Sequence, residues 1–227
     1  MRVGIFATCI NSLYYTRTVE ATRTVLERLG VVIADTEQVC CGQMHINSGY
    51  PELAKPLIDR VEKNFADCDY IVAPSASCIG SLREHEDRPE LVSKCFDLSE
   101  FLIDILNVTD VGATFNHRVT LHTTCHSLRV AKLGDKPQQL LRAVRGLDLI
   151  ELPAADSCCG FGGTFSVKNS DVSGAMLHDK LTNIVSTAAE YVVSADNSCL
   201  MHIGGGLQKN ETPIEVIHLA EILASRG

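Results

Sequence analysis

No stretch of this chain is long and apolar enough to cross a membrane as a helix. The longest run without a charged side chain, Val3 to Thr16, has 14 residues and includes Asn, Ser and Thr, whereas a span needs roughly 18 or more. Membrane insertion is therefore not expected. Clustered positive charge is also lacking: 20 Lys and Arg are scattered among 28 Asp and Glu, for a formal net charge of -8. A nucleic-acid groove, which needs a concentrated basic face, is excluded on that ground. No basic segment followed by an apolar region and a small-residue cleavage site opens the sequence, so nothing directs it to an oxidising compartment, and a cytoplasmic location is expected. Low-complexity tails are missing as well. With 45 % hydrophobic and 21 % charged residues, the composition is that of a compact globular chain rather than a disordered one.

What the chain has in excess is cysteine. Ten cysteines among 227 residues, with no route to an oxidising compartment, read as ligands, catalysts or buried fillers rather than disulfides. Eight of them follow a layout written twice. Cys9 is followed after 30 residues by Cys40-Cys41-Gly42 and after 36 more by Cys78; Cys125 is followed after 32 by Cys158-Cys159-Gly160 and after 39 more by Cys199. Four soft thiolates per unit is the donor set that an iron-sulfur cluster or zinc requires. Structural zinc prefers paired C-x-x-C knuckles, and neither unit has one.

The duplication extends past the cysteines. Val3 to Cys9 matches Val119 to Cys125 at the first residue and the last two, at an offset of 116 (119 minus 3). Tyr70 to Cys78 matches Tyr191 to Cys199 at Tyr, Val, Ser and Cys, and Leu102 to Leu106 is answered by Leu219 to Leu223. Two copies of one unit account for the whole length, with a boundary near Asn107 to Asn116.

Periodicity predicts strands at Arg2–Thr8, Val31–Ala34 and Tyr70–Ala73. Helices are predicted at Thr16–Leu29 and at Pro51–Phe65, the latter with Leu53, Leu57, Ile58, Val61 and Phe65 on its apolar face. The second unit repeats the order, with strands at Arg118–His122, Leu149–Leu152 and Tyr191–Ser194. Its predicted helices follow Cys125 and lie near Pro137–Val144, Asp171–Thr187 and Ile217–Ala224. Alternating strands and helices predict an α/β fold of two tandem, pseudo-symmetric parallel-sheet repeats with flanking helices. Ligands in such folds gather beyond the carboxyl ends of the strands, where Cys9, Cys78, Cys125 and Cys199 fall, each next to a predicted helix. A helix amino end stabilises a thiolate. Gly42, Gly160, Gly162 and Gly163 lack a Cβ, so their N–H groups can approach bridging sulfurs and tune a cluster's potential.

Ala7-Thr8-Cys9-Ile10, Cys40-Cys41-Gly42-Gln43, Val144-Arg145-Gly146-Leu147 and the block Cys158-Cys159-Gly160-Phe161-Gly162-Gly163-Thr164-Phe165-Ser166-Val167-Lys168 together resemble the cysteine-rich CCG-repeat family. That family includes the heterodisulfide reductase B subunit and the iron-sulfur subunit of glycolate oxidase, and the likeness is greatest to its lactate-utilisation branch. The resemblance covers the full chain. It implies a first CCG repeat over 1–110 and a second over 111–227, with one or two [4Fe-4S] clusters held by the eight repeated cysteines. It further implies electron transfer in the oxidation of L-lactate to pyruvate together with lactate utilisation proteins B and C, as a subunit not active alone. In the heterodisulfide reductase subunit each repeat ends in a C-x-x-C pair, giving five thiols around a non-cubane cluster. This chain has Ser81 and His202 at those last positions, which weakens a heterodisulfide active site and favours electron transfer. A thiol or disulfide reductase and a zinc-stabilised scaffold are the alternatives.

No catalytic acid, base or nucleophile stands out. His45, His122, His126 and His202 lie near the cysteine motifs, where a histidine commonly donates a hydrogen bond to a ligand; His202, in place of the missing thiol, has the strongest claim. Cys68 and Cys95 stand outside the repeat and read as small buried hydrophobes. The Gly160-Phe161-Gly162-Gly163 run lacks the spacing of a phosphate loop.

Overall fold

The computed structural model describes residues 1–85 and 87–227. The first half runs β1 (Arg2–Ile5), α1 (Cys9–Tyr14), α2 (Thr16–Arg28), β2 (Val32–Ala34), α3 (Gln43–Asn47), α4 (Pro51–Asn64), β3 (Tyr70–Ala73), α5 (Ala76–Arg83), α6 (Pro89–Lys94), β4 (Cys95–Asp97) and α7 (Leu98–Glu100), which passes into a π-helical turn at Phe101–Ile105. The second runs β5 (Arg118–Leu121), α8 (Cys125–Arg129), α9 (Lys136–Arg142), β6 (Asp148–Ile150), α10 (Phe165–Lys168), α11 (Ser170–Ser186), β7 (Tyr191–Ser194), α12 (Asn197–Lys209), β8 (Glu215–His218) and α13 (Leu219–Ala224). Each half builds a four-stranded, all-parallel sheet, ordered β2-β1-β3-β4 and β6-β5-β7-β8. The α/β architecture of two repeated parallel sheets is the one predicted. Among the described residues no helix is long and apolar enough to cross a membrane.

The central strands are apolar on both faces because helices cover both. Val3 to Ile5, Ile71 to Ala73, Val119 to Leu121 and Val192 to Ser194 are all buried. In α2 the buried residues Thr18, Ala21, Thr22, Val25 and Leu26 follow the 3.6-residue period, and the helix stops before Gly30, whose φ is +78. The inner helix layer is common to the halves: α2 packs on α13, and α9 packs on α7 and α13. Val25, Leu26 and Leu102 thus share one core with Leu140, Leu141, Ile222 and Leu223. Each such side chain contributes about 1.5–3 kcal/mol on burial, so neither half is complete without the other. Arg28 reinforces the seam by donating to the carbonyls of Val111, Leu223 and Ala224 at 3.2, 3.1 and 2.7 Å. Each sheet's other face carries its own smaller core, around Phe6, Ile58, Val61 and Phe65 in the first half and around Leu181, Ile184, Val192 and Ile203 in the second.

Four details correct the sequence reading. Strand β4 was not foreseen. Ile217, expected to open a helix, lies in β8, and α13 begins two residues later. Asp97 and His218 cap matching helices by accepting from Ser99 and Ala220 N–H, so the closing segments align at an offset of 121 (218 minus 97). The match of Leu102 with Leu219 is one helical turn out of register, an error that i, i+4 periodicity conceals. In α4, Leu53 is exposed and Ala54 is buried, because Ala54 lies against Gly42.

Candidate metal centre

The fold carries the cysteines to one face. Cys9 and Cys125 open α1 and α8 just after the central strands β1 and β5, and Cys78 and Cys199 occupy the first turns of α5 and α12 after β3 and β7. These four lie inside the helix starts rather than ahead of them. The Cys-Cys-Gly loops follow β2 and β6. All eight repeated cysteines line a single cavity of about 380 Å³.

Within each half the thiols perturb one another in a chain. Cys41 and Cys9 hold the Cys40 thiol far below its ordinary range, while their own thiols are driven up, foremost by contact with Cys40. Cys125 and Cys159 do the same for Cys158 and are driven up in turn. The backbone N–H of Gly42 reaches Cys40 Sγ at 3.4 Å, and that of Gly160 reaches Cys158 Sγ at 3.3 Å. Both glycines hold positive φ, +81 and +90, and a Cβ on either would lie 2.7 Å from Ala54 Cβ or 2.6 Å from Ser173 O. One thiolate per set is easily formed and the others are hard to ionise without a cation. That fits a thiophilic metal, which supplies the charge four crowded sulfurs need. All ten cysteines are unpaired thiols, and Cys68 and Cys95 sit in the outer apolar core of the first half, away from the cavity.

The remaining candidates are placed as follows. Gly162 and Gly163 line the cavity, although no N–H to sulfur bond of theirs occurs among the described residues. His202 does not line it: one helical turn beyond Cys199, its Nε2 lies 3.3 Å from Ser173 Oγ and its ring 6.0 Å from Phe161, and burial lowers its pKa. Ser81, its counterpart, is buried with no partner for its hydroxyl among the described residues. His45 lies in α3 and helps to lower Cys40. His126 lines the cavity; the Gln43 amide donates to its Nε2 at 2.9 Å, so Nδ1 carries the proton and points to Cys125 Sγ at 3.5 Å. His122 is 1 % exposed, and neither ring nitrogen has a partner among the described residues. It forms with Cys159 and Cys199 a group whose ligand atoms lie within 4.8 Å of one another, able to hold a metal.

Several residues of the site escaped the sequence reading. Asp196, buried between the halves, accepts from Ser75 Oγ at 2.7 Å, from Ser77 Oγ at 2.8 Å and from Ser77 N–H; burial raises its pKa against those hydrogen bonds. Asn197 donates to Asn11 Oδ1 and Thr18 Oγ1 at 2.9 and 2.8 Å, and Thr18 donates onward to Glu221 at 2.6 Å. Lys180, fully buried, donates to the Ala154 carbonyl at 2.9 Å. Asp196 and Lys180 stand where the first copy has Ser75 and Val61, so each puts an ionisable group where that copy has none.

A family of cysteine-rich domains, CCG, matches residues 3–83 and again 119–204. The chain is 42 % identical over 239 residues to lactate utilization protein A of Geobacillus kaustophilus (strain HTA426), with all of both chains covered. It is 41 % identical over 238 residues to the protein of that name from Bacillus subtilis (strain 168), again over all of both. Among solved structures, an aspartate racemase homologue from Pyrococcus horikoshii OT3 is 15 % identical with a TM-score of 0.38, covering 98 % of this chain and 95 % of that one. That likeness is too slight to bear on function.

Proposed function

The chain belongs to the CCG cysteine-rich family, and on that footing we propose that it is the iron-sulfur electron-transfer subunit of an L-lactate-oxidising complex. A role in lactate utilisation follows from its full-length likeness to the lactate utilization A proteins. The observation that carries the electron-transfer reading is the convergence of two complete four-thiol sets on one cavity. In this reading each repeat, over 1–110 and 111–227, holds one [4Fe-4S] cluster, through Cys9, Cys40, Cys41 and Cys78 in the first and Cys125, Cys158, Cys159 and Cys199 in the second. Four thiolates satisfy such a cluster, and each set's thiol couplings stay within its own half.

The clusters supply one-electron chemistry, and the chain's own residues set their surroundings. Gly42 and Gly160 donate to ligand sulfurs, His126 donates to Cys125, and burial keeps water from Cys41, Cys78, Cys159 and Cys199. Met44 and Val167, 53 % and 81 % exposed, line the cavity and offer an apolar rim to redox partners, lactate utilisation proteins B and C. With a serine and a histidine where a fifth thiol would stand, and His202 off the cavity wall, electron transfer is favoured over disulfide cleavage.

The test is to mix the anaerobically loaded chain with L-lactate in the presence and absence of those two partners and to follow its visible absorbance. Bleaching that requires both partners is expected. No bleaching with all components present and active overturns the assignment.

A further inference from the structure

The two halves present the same sulfur layout with different walls. Counted from their N-caps, Tyr50 and Asn169, helices α4 and α11 run in step. Ala54 meets Gly42 as Ser173 meets Gly160, and Phe65 is answered by Ile184. The same register, an offset of 119 (169 minus 50), sets Val61 against Lys180, both at 0 % exposure. At the ends of the central strands Phe6 N–H bonds to Val72 O as His122 N–H bonds to Val193 O, so Phe6 is answered by His122. Where the first half packs a phenyl ring and an isopropyl group into the core around Cys41 and Cys78, the second has an imidazole and an ammonium.

Neither polar group is explained by the protein alone. The Ala154 carbonyl is the hydrogen-bond partner of Lys180 among the described residues, and none of the ion pairs there involves its ammonium. A buried, unpaired charge is strongly destabilising. Burial lowers the Lys180 pKa, and what opposes burial and favours the ammonium are the sulfurs of Cys159, Cys158 and Cys199, charged once they serve as ligands, together with the exposed Asp156. Both ring nitrogens of His122 are likewise unpartnered, beside Cys159 and Cys199. A cation and hydrogen-bond donors near a cluster stabilise its reduced, more negative form and raise its potential.

We propose that the two centres are electronically inequivalent, Lys180 and His122 making the second-half centre the more readily reduced. This inference rests on the iron-sulfur reading above. Of the two electrons that oxidation of lactate to pyruvate releases, the first to reach the chain would reduce the second-half cluster by one, and the second would then reduce the first-half cluster by one. Other charges do not cancel the difference. His45 lies near Cys40 in the first half but is partly exposed, where water screens it; Asp196 is held by Ser75 and Ser77 beside Cys78 and bears on Cys125 of the second half, but burial favours its neutral form; His126 adds a donor on the second side.

The test is a potentiometric titration of the anaerobically loaded full chain, followed by electron paramagnetic resonance, with iron and sulfide assayed in each sample. Two midpoints are expected, at least tenfold apart in the one-electron equilibrium, or about 59 mV. Cys159→Ser should delete the higher wave and Cys41→Ser the lower. Lys180→Met should move only the higher wave, downward by about tenfold; Lys180→Arg should restore it, and Val61→Met should move neither. His122→Phe, which installs the first-half residue, should shift the same wave and carries the test if Lys180→Met fails to load. Two loaded centres of equal potential, or variants that move the lower wave, overturn the inequivalence and leave the cluster reading intact. A chain devoid of iron and sulfide removes both.

Discussion

The hydroxyl of Ser75 donates to the carboxylate of Asp196 at 2.7 Å across the seam between the halves, and these two residues are the N-caps of the matching helices α5 and α12. Ser75 also accepts from the Cys78 N–H of its own helix at 3.4 Å. Asp196 makes no such bond to its own helix. It has turned instead to the first half, where it also holds Ser77, next to Cys78.

Replacing Asp196 with Ala removes the acceptor of the buried Ser75 hydroxyl and of the half-buried Ser77 hydroxyl and N–H, leaving the two hydroxyls only each other at 3.3 Å. Each orphaned group costs about 1–3 kcal/mol, so a loss of roughly 2–4 kcal/mol is expected, read as a lower urea midpoint of the metal-free chain at unchanged slope. Asp196→Asn, which keeps an acceptor, should lose less. A midpoint unmoved by Asp196→Ala would show that the seam does not depend on this carboxylate.

Gly160→Ala and Gly163→Ala should separate two kinds of glycine. Both have positive φ, but a Cβ at 160 would meet Ser173 O at 2.6 Å, whereas nothing lies within 4 Å of one at 163. The second change costs only the left-handed conformation, about 1–2 kcal/mol. The first must also displace α11, and it should remove the iron of the second half. Equal iron in the two variants contradicts this.

Cys41→Ser and Cys159→Ser should each remove about half of the bound iron, since each thiol's couplings stay within its own half. Loss of all the iron from either single variant would indicate one shared centre. Metal analysis of the two proteins side by side decides.

His218 makes the chain acid-sensitive. Its Nδ1 accepts from Ala220 N–H at 3.0 Å, and burial lowers its pKa from 6.5 to about 4. The unfolded chain therefore takes up the proton first; the stabilisation is whole above pH 6.5 and is lost as pH falls toward 4, roughly 3 kcal/mol in all. Asp97 runs the other way: burial raises it from 3.8 to about 7, so its contribution is lost as pH rises through that range. The difference between the wild-type chain and His218→Asn isolates the histidine, and it should change by about that amount between pH 6.5 and 4. A pH-independent difference excludes it.

Much of this was readable in the residues because it was written twice. The strands Tyr70–Ala73 and Tyr191–Ser194 were predicted to the residue, since an apolar run bounded by turn residues leaves little choice. The eight cysteines stood out through spacing that two copies share. Strand β4 has only three residues and borders a helix on each side, so its sequence, Cys95-Phe96-Asp97, carries no period of its own. Asp196 and Lys180 were illegible for the opposite reason: they occupy positions where the copies differ, and resemblance between repeats draws the eye to what they share. His202, picked for its place in the sequence, lies behind the cavity wall, because a residue one turn along α12 projects from the helix beside Cys199 toward Ser173 and Phe161 rather than into the space between the halves.

The central claim is that each half holds an iron-sulfur cluster, and the most direct measurement is iron, acid-labile sulfide and zinc per chain after anaerobic purification. About eight irons with matching sulfide are expected, from two four-iron clusters. Zinc without sulfide, or no metal under those conditions, contradicts the account.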